Sequence, residues 1–406
     1  MRRPDFIRGL RRAGCAASAV FAMFAAVAAA LLATACGGGG SGGADEVEWP
    51  EVENFGAELV SRVPRSGVAG TWGYVAPDGA RYALMGTARG VLVLDLRDPA
   101  APRVVDEIDG PTNTNVPGVY WREMRVYRSY AYVVSEHTNF RGGIMILDLS
   151  GLPGAVRFVK SVVPRDGLLA AHTLDIDTTR GLLYLQRLND LPGPAANGRA
   201  RALHHPVGGP DDGSVEVYDI AGDPENPAYL TTFNQHRSVH DMTAAGDHVY
   251  VAEGNAASFS KWDLRDPRAP VLLARWNVGG FAHNIWPNAD GSLVVTTEEF
   301  PLGLPARVWR MNGNVPTPVA TLKVGSATPH NVVIEGTRAY LSHYAEGLAV
   351  YELADPAAPR LVAHFDTNPA RGPALDGCWG VYKFPGAPLA VCSDMLSGFN
   401  LIRITN

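Results

Sequence analysis

Gly90-Val-Leu-Val-Leu-Asp-Leu96 is a short apolar stretch that ends in an acidic turn, and this pattern recurs along the chain. Runs of this length that are rich in Val, Ile, Leu and Tyr and bounded by Gly, Pro, Asn and Asp are typical of β-strands. Its clearest copies are Gly143-Ile-Met-Ile-Leu-Asp-Leu149, Ser214-Val-Glu-Val-Tyr-Asp-Ile220 and Phe259-Ser-Lys-Trp-Asp-Leu264, and weaker ones surround Arg310, Glu352 and Arg403. The shared aspartates, Asp95, Asp148, Asp219 and Asp263, are predicted to accept hydrogen bonds from turn amides.

Each copy is the third strand of a longer unit whose first strand starts with an aromatic residue or a histidine. These starts lie at Trp72, Trp121, His172, His240, His283, His330 and Trp379. Successive starts are 43 to 51 residues apart, except for one interval of 68 residues. This period is typical of β-propeller blades. The sequence therefore predicts an all-β protein, a seven-bladed β-propeller of four-stranded antiparallel blades.

The ends of the chain predict how the ring closes. The last unit stops at Asn406, one strand short, whereas residues 56–63 have the pattern of an outer strand upstream of the first unit. An unpaired edge strand invites aggregation, and a closed propeller leaves only short, protected edges. We therefore expect this N-terminal strand to complete the last blade, with the propeller spanning residues 55–406.

Residues 1–35 have the features of an export signal. Five arginines precede an apolar run from about Cys15 to Leu32, and small residues lead to Cys36. Leu32-Ala-Thr-Ala-Cys36 resembles the lipobox of bacterial lipoproteins, which predicts a lipoprotein signal peptide at 1–35 and a lipidated Cys36. Several acyl chains anchor a protein firmly, since each buried CH₂ contributes about 0.8 kcal/mol. Residues 36–54 would then form a glycine-rich linker. The alternative is ordinary cleavage and secretion.

Charge and cysteine content limit the choice of partner and compartment. The formal charge is −6, and it becomes −10 without residues 1–35, which carry five arginines and one aspartate. An acidic domain argues against nucleic acid as a partner, and we expect a monomer. Cys378 and Cys392 flank a predicted hairpin in the last unit, where a disulfide is plausible for an exported protein. Two reduced, buried thiols are the alternative.

Several motifs resemble the choice-of-anchor B family of exported bacterial proteins, which are built of LVIVD repeats. They are the third-strand copies together with Gly70-Thr-Trp-Gly-Tyr74, Tyr82-Ala-Leu-Met-Gly86, the segment 121–136, His330-Asn331 and Trp379-Gly-Val-Tyr382. The resemblance covers residues 66–406. It implies a propeller attached to the cell envelope or cell surface, at the outer membrane or in the periplasm, and it supplies no catalytic residues.

Four consecutive units start with histidine followed by a small polar or amide residue, at His172, His240, His283 and His330, and the other three start with Trp72, Trp121 and Trp379. In a propeller these positions surround one mouth of the central channel. The second strands return to the same face, where they end in Glu136-His137, Glu253, Glu298-Glu299, His343 and Asp394, and we assign Glu253 and Glu298 to the site. Histidines near carboxylates can bind a divalent metal such as zinc or manganese. Alternatively, histidines repeated in four blades act as structural braces.

Two functions fit this mouth. The first is an envelope-anchored binding or interaction module that takes a protein, glycan or small-molecule ligand at the His/Trp mouth. The second is a metal-dependent hydrolase or lyase that uses a metal-bound water at the same place. The insertion from Arg187 to Gly213 joins the second and third strands of the third unit, and long loops of this kind are either functional or disordered.

Overall fold

Twenty-eight β-strands form seven four-stranded sheets in a computed structural model that describes residues 52–111, 121–136, 141–167, 171–188, 213–369 and 375–406. Neighbouring strands within each sheet are antiparallel. The first strand of every blade contacts the first strand of the next, which places these strands around the central channel. The predicted seven-bladed β-propeller is confirmed.

Strand β1 (Ala57–Val63) precedes the first complete blade. Blade 1 comprises β2 (Val68–Val75), β3 (Arg81–Thr87), β4 (Gly90–Asp95) and β5 (Arg103–Asp109). Blade 2 comprises β6 (Arg122–Tyr127), β7 (Tyr130–Ser135), β8 (Ile144–Asp148) and β9 (Arg157–Val162), followed by a 3-10 turn at Arg165–Gly167. Blade 3 comprises β10 (Leu174–Asp177), β11 (Leu182–Leu188), β12 (Gly213–Asp219) and β13 (Ala228–Arg237).

The remaining blades follow the same plan. Blade 4 comprises β14 (Asp241–Ala245), β15 (His248–Ala252), β16 (Ser258–Asp263) and β17 (Val271–Asn277). Blade 5 comprises β18 (Ala282–Pro287), β19 (Leu293–Glu298), β20 (Ala306–Asn312) and β21 (Val315–Leu322). Blade 6 comprises β22 (Val332–Glu335), β23 (Arg338–Ser342), β24 (Leu348–Glu352) and β25 (Arg360–Phe365). Blade 7 comprises β26 (Cys378–Lys383), β27 (Leu389–Asp394), β28 (Gly398–Ile404) and β1.

The hydrophobic core is divided among the interfaces between blades. Along β3, Ala83 and Met85 pack against blade 7, whereas Tyr82 and Leu84 pack against blade 2. Successive side chains of a strand point to opposite faces, and here both faces are covered by protein. This explains why the inner strands have continuous apolar sequences instead of alternating ones, and each blade depends on both neighbours for its stability.

The ring closes through β1, as predicted. β1 pairs antiparallel with β28, with Ala57 opposite Ile404 and Val63 opposite Phe399. A main-chain bridge between Phe55 and His364 also joins the N-terminal segment to blade 6. Residues from the two ends of the chain thus share one sheet.

Two local predictions have structural counterparts. The Asp95, Asp148, Asp219 and Asp263 carboxylates accept hydrogen bonds from backbone amides two residues later, which confirms their role in turns. Cys378 and Cys392 form a disulfide between β26 and β27. Their positions are not directly opposite, because a bulge after Cys378 places Cys392 opposite Val381.

In the part of the chain that the structure describes, no helix is long and apolar enough to cross a bilayer. The predicted signal peptide, Cys36 and most of the linker lie outside the described residues, as do residues 189–212 of the insertion.

Candidate functional site

Among the residues that the structure describes, six aromatic side chains form a connected arc at one end of the central channel. We call this set the mouth ring: His172, His240, His283, His330, Trp379 and Trp121. Adjacent ring centroids along the four histidines are 4.5, 4.4 and 4.2 Å apart. The arc continues from His330 to Trp379 at 4.8 Å and on to Trp121, which stacks on Trp379 at 5.9 Å. Six of the seven residues predicted at the starts of the innermost strands thus lie together.

Trp72 is the seventh, and its predicted place at the mouth is wrong. It packs against Tyr382 and Trp286, and the Arg125 guanidinium lies 4.1 Å from its ring centroid. Trp72 is the fifth residue of β2, whereas Trp121 directly precedes β6. Gly70 comes so close to blade 2 that an added Cβ would lie 2.1 Å from the Arg122 carbonyl oxygen. Blade 1 therefore contributes Ala69, which packs near Trp379, instead of an aromatic ring.

Three histidines of the mouth ring brace neighbouring blades. His240 Nδ1 donates a hydrogen bond to the carbonyl oxygen of His283 at 2.9 Å, and His283 Nδ1 donates to that of His330 at 3.1 Å. His330 Nδ1 donates to the Trp379 carbonyl at 2.6 Å. A carbonyl oxygen can only accept, so Nδ1 carries the proton of each of these hydrogen bonds, and in the neutral form of a ring the lone pair lies on Nε2. The interpretation of these histidines as structural braces therefore holds for the Nδ1 side of each ring.

His172 has a different partner. Its Nδ1 donates to Glu136 Oε1 at 2.6 Å, turning back to blade 2 instead of forward to blade 4. Burial by itself would lower the pKa of His172, but the hydrogen bond and negative charge of Glu136 raise that pKa above its usual value. Burial and the adjacent histidines instead push the pKa of His283 well below its usual value. Two histidines from equivalent strands therefore favour opposite protonation states.

Glu253 does not belong to the mouth ring, contrary to expectation. Its carboxylate is fully buried and accepts hydrogen bonds from the Arg275 guanidinium at 2.9 Å, from Ser260 at 2.7 Å and from Asn234 at 3.0 Å. These neighbours balance its charge and use its acceptor sites. Glu253 is a structural residue in the interior of blade 4, next to β13 of blade 3.

Glu298 was also expected near the histidines, and the structure turns it away from them. It accepts a hydrogen bond from the Gly280 amide at 2.6 Å and lies 3.2 Å from Arg307 Nη1. The next residue, Glu299, is the one that faces the mouth ring. Its Oε1 lies 3.9 Å from His330 Nε2 and accepts a hydrogen bond from the Tyr344 hydroxyl at 2.6 Å.

The sequence placed Glu299 next to Glu298 at the end of a second strand, but Glu298 was the one assigned to the site, and Tyr344 was missed. Glu298 ends β19, and adjacent residues of an extended chain point to opposite sides, so only one of the two glutamates can face the ring. The strand register favours Glu299 over Glu298, since Glu136 also lies directly after the second strand of its blade. Tyr344 follows β23 after His343 and has no such signal in the sequence.

Next to the mouth ring, polar side chains link the inner strands of several blades. Asp241 accepts hydrogen bonds from Thr173 at 3.0 Å and from Asn284 at 2.6 Å. Glu123 lies 3.2 Å from Arg125, and burial raises the pKa of Glu123 to about 7 although Arg125 opposes this shift. Glu123, Arg125, Asp241 and Asn284 border a small cavity of about 20 Å³ that also contacts Trp72. The network couples adjacent blades inside the channel.

Comparison with protein-family models finds no match to this chain, and comparison with curated proteins finds none either. The resemblance to the choice-of-anchor B family therefore stays a prediction from the sequence motifs.

Proposed function

We propose that this protein is a binding module anchored at the cell envelope, and that its ligand docks at the mouth ring. A β-propeller is a scaffold suited to interaction or binding. The observation that carries the proposal is the mouth ring itself, a continuous arc of imidazole and indole groups at one end of the channel. The lipid anchor rests on the lipobox-like sequence before Cys36.

The chemistry of the ring favours a ligand that donates hydrogen bonds or carries positive charge. The Nδ1–H groups of the bracing histidines are directed to carbonyl oxygens, so Nε2 is the acceptor nitrogen of each ring in its neutral form. Glu136 adds a buried oxygen, Oε2, with no hydrogen-bond donor among the described residues. Indole faces bind the C–H face of a sugar or a cationic group. A hydroxyl-rich ligand such as the end of a glycan chain matches both halves of the ring.

Binding can be tested by titrating the full chain with N,N′-diacetylchitobiose, cellobiose and choline while following tryptophan fluorescence. Trp121 is half-buried at the mouth, so Trp121→Ala is expected to weaken binding at least tenfold. Trp262, an equally half-buried indole that packs on Phe233 in another part of the molecule, provides the matched control Trp262→Ala. Equal losses in both variants, or no response of the unmodified protein to any probe, would argue against docking at the mouth.

The anchor has a separate test. Cys36→Ala is expected to abolish labelling by radioactive palmitate and to move the protein from the membrane fraction to the soluble fraction. If the variant stays with the membrane and still takes up label, lipidation at Cys36 is wrong.

A further inference from the structure

We infer that His283, His330 and Glu299 form a binding site for one divalent transition-metal ion. The inference deepens the proposed function and rests on it, since the site lies in the mouth ring and an ion is one form of cationic ligand. One potential ligand atom from each of the three residues lies within 4.8 Å of the other two. Across the described ranges, this is the one trio of His, Cys, Asp or Glu side chains so arranged.

The two imidazoles are already held in the form that binds metals. His283 and His330 direct their Nδ1–H groups to backbone carbonyls at 3.1 and 2.6 Å. Metal-binding histidines commonly donate their second ring N–H to a carbonyl or carboxylate, which fixes the tautomer and the ring orientation. The braces between blades therefore place the lone pair of each neutral ring on Nε2, the nitrogen that in His330 lies 3.9 Å from Glu299 Oε1.

The carboxylate is oriented in a similar way. The Tyr344 hydroxyl donates to Glu299 Oε1 at 2.6 Å, and the Tyr344 ring packs on His330 with centroids 4.4 Å apart. Such outer contacts hold a ligating carboxylate in place. Glu298 and Glu253 lack this role because arginines lie against both of them.

The three ligand atoms could hold an ion if they moved slightly closer together. Zinc binds histidine nitrogen at about 2.0–2.1 Å and carboxylate oxygen at about 2.0–2.2 Å, so tetrahedral ligand atoms lie about 3.4 Å apart. His330 Nε2 and Glu299 Oε1 are 3.9 Å apart, and the largest separation in the trio stays within 4.8 Å. Movements of roughly 0.5–1.4 Å would close these gaps.

The types of ligand atom indicate which class of ion fits the site. Two imidazoles and one carboxylate suit zinc, iron(II) or manganese(II), whereas calcium and magnesium prefer sites made of oxygen ligands. All three residues are at least 98 % buried, with exposed fractions of 2 %, 2 % and 1 % for His283, Glu299 and His330. Three protein ligands leave a coordination position for water or for a donor group of the docked ligand.

The test is isothermal titration calorimetry of zinc chloride into the full chain after chelator treatment. We expect one equivalent of zinc to bind. Glu299→Gln keeps the size and the acceptor for Tyr344 but removes the charge, and it is expected to lower zinc affinity at least tenfold. Glu298→Gln is the matched control one residue away, and its affinity is expected to stay within about twofold of the unmodified protein.

Cobalt(II) gives a readout of coordination that a purely structural role would not affect. Visible absorption bands of bound cobalt are expected in the unmodified protein and in Glu298→Gln, and they should be absent in Glu299→Gln. The far-ultraviolet circular dichroism spectrum of each variant shows whether it is folded. A loss of metal binding can then be separated from a loss of structure.

Two outcomes would overturn the site: no saturable zinc binding by the unmodified protein, or equal losses in the two glutamate variants. Failure of the metal site can be told apart from failure of the proposed function. If chitobiose, cellobiose or choline binds in a manner that depends on Trp121 while zinc does not bind, the metal inference alone is wrong.

Discussion

Glu136, Glu253 and Glu299 each follow the second strand of a blade, yet they relate differently to the histidine of the next blade. Glu136 accepts a hydrogen bond from His172 at 2.6 Å. Glu253 is bound by Arg275 and is thereby withheld from the ring. Glu299 lies 3.9 Å from His330 and is held by Tyr344.

Blade 6 extends the comparison, because His343 occupies the same position after β23. His343 is fully buried, and its Nε2–H donates to the Ala327 carbonyl at 3.0 Å. One repeat position therefore yields an ion pair, a sequestered carboxylate, a candidate metal ligand and a neutral histidine. Side chains from outside the repeat position therefore decide what each copy can do.

The largest change in stability is expected from Arg275→Ala. It would leave the Glu253 carboxylate buried without its cation, and removing one partner of a buried pair costs about 3–5 kcal/mol. Urea denaturation followed by circular dichroism measures this. The double variant Arg275→Met with Glu253→Gln should recover part of the loss, because no unpaired charge stays buried. A loss below about 1 kcal/mol for Arg275→Ala would show that Glu253 does not depend on the arginine.

Glu136→Gln is expected to cost about 1.5–3 kcal/mol near pH 6, the range for a hydrogen bond to a charged group. Glu136 raises the pKa of His172, so this stability is fully present below the unfolded pKa of about 6.5 and is lost as pH rises through the folded pKa. Denaturation of both proteins from pH 5 to pH 9 should therefore show the difference shrinking at high pH. A difference that grows with pH would contradict the ion pair.

His343 should give the opposite pH dependence. Burial lowers its pKa to about 3, so its contribution is intact above about pH 6.5 and is lost as pH falls towards 3. At pH 5 the unfolded chain binds the proton and the folded chain does not, which costs roughly 2 kcal/mol. His343→Gln should lose less stability than the unmodified protein between pH 7 and pH 5. Parallel pH profiles for the two proteins would disprove this assignment.

The smallest effect is expected from Tyr344→Phe, which removes one hydroxyl and leaves the ring against His330. Loss of a single hydrogen bond costs about 0.5–1.5 kcal/mol. Thermal unfolding without added metal measures the change, and Tyr351→Phe, whose hydroxyl donates to the Lys323 carbonyl, is the matched control. A loss well above that of the control would mean that the hydroxyl does more than orient Glu299.

The repeats made the fold predictable, including the closure by β1, because strand length, apolar content and turn residues are local properties. They also predicted that four histidines would surround one mouth of the channel. Trp72 does not mark the start of its blade, because Gly70 sets how β2 passes blade 2. Glu253 was misassigned because Arg275 is 22 residues away in the chain and its approach depends on the packing of β17.

A closed ring of seven apolar meanders and an acidic net charge follow from the sequence, since periodicity and charge need no coordinates. Tertiary structure alone decided which acidic residue meets which histidine, and on which nitrogen each ring carries its proton. These properties depend on hydrogen-bond partners supplied by a neighbouring blade or a distant loop. Glu299, facing His330 and Tyr344, could be separated from Glu298 only when the strands had their register.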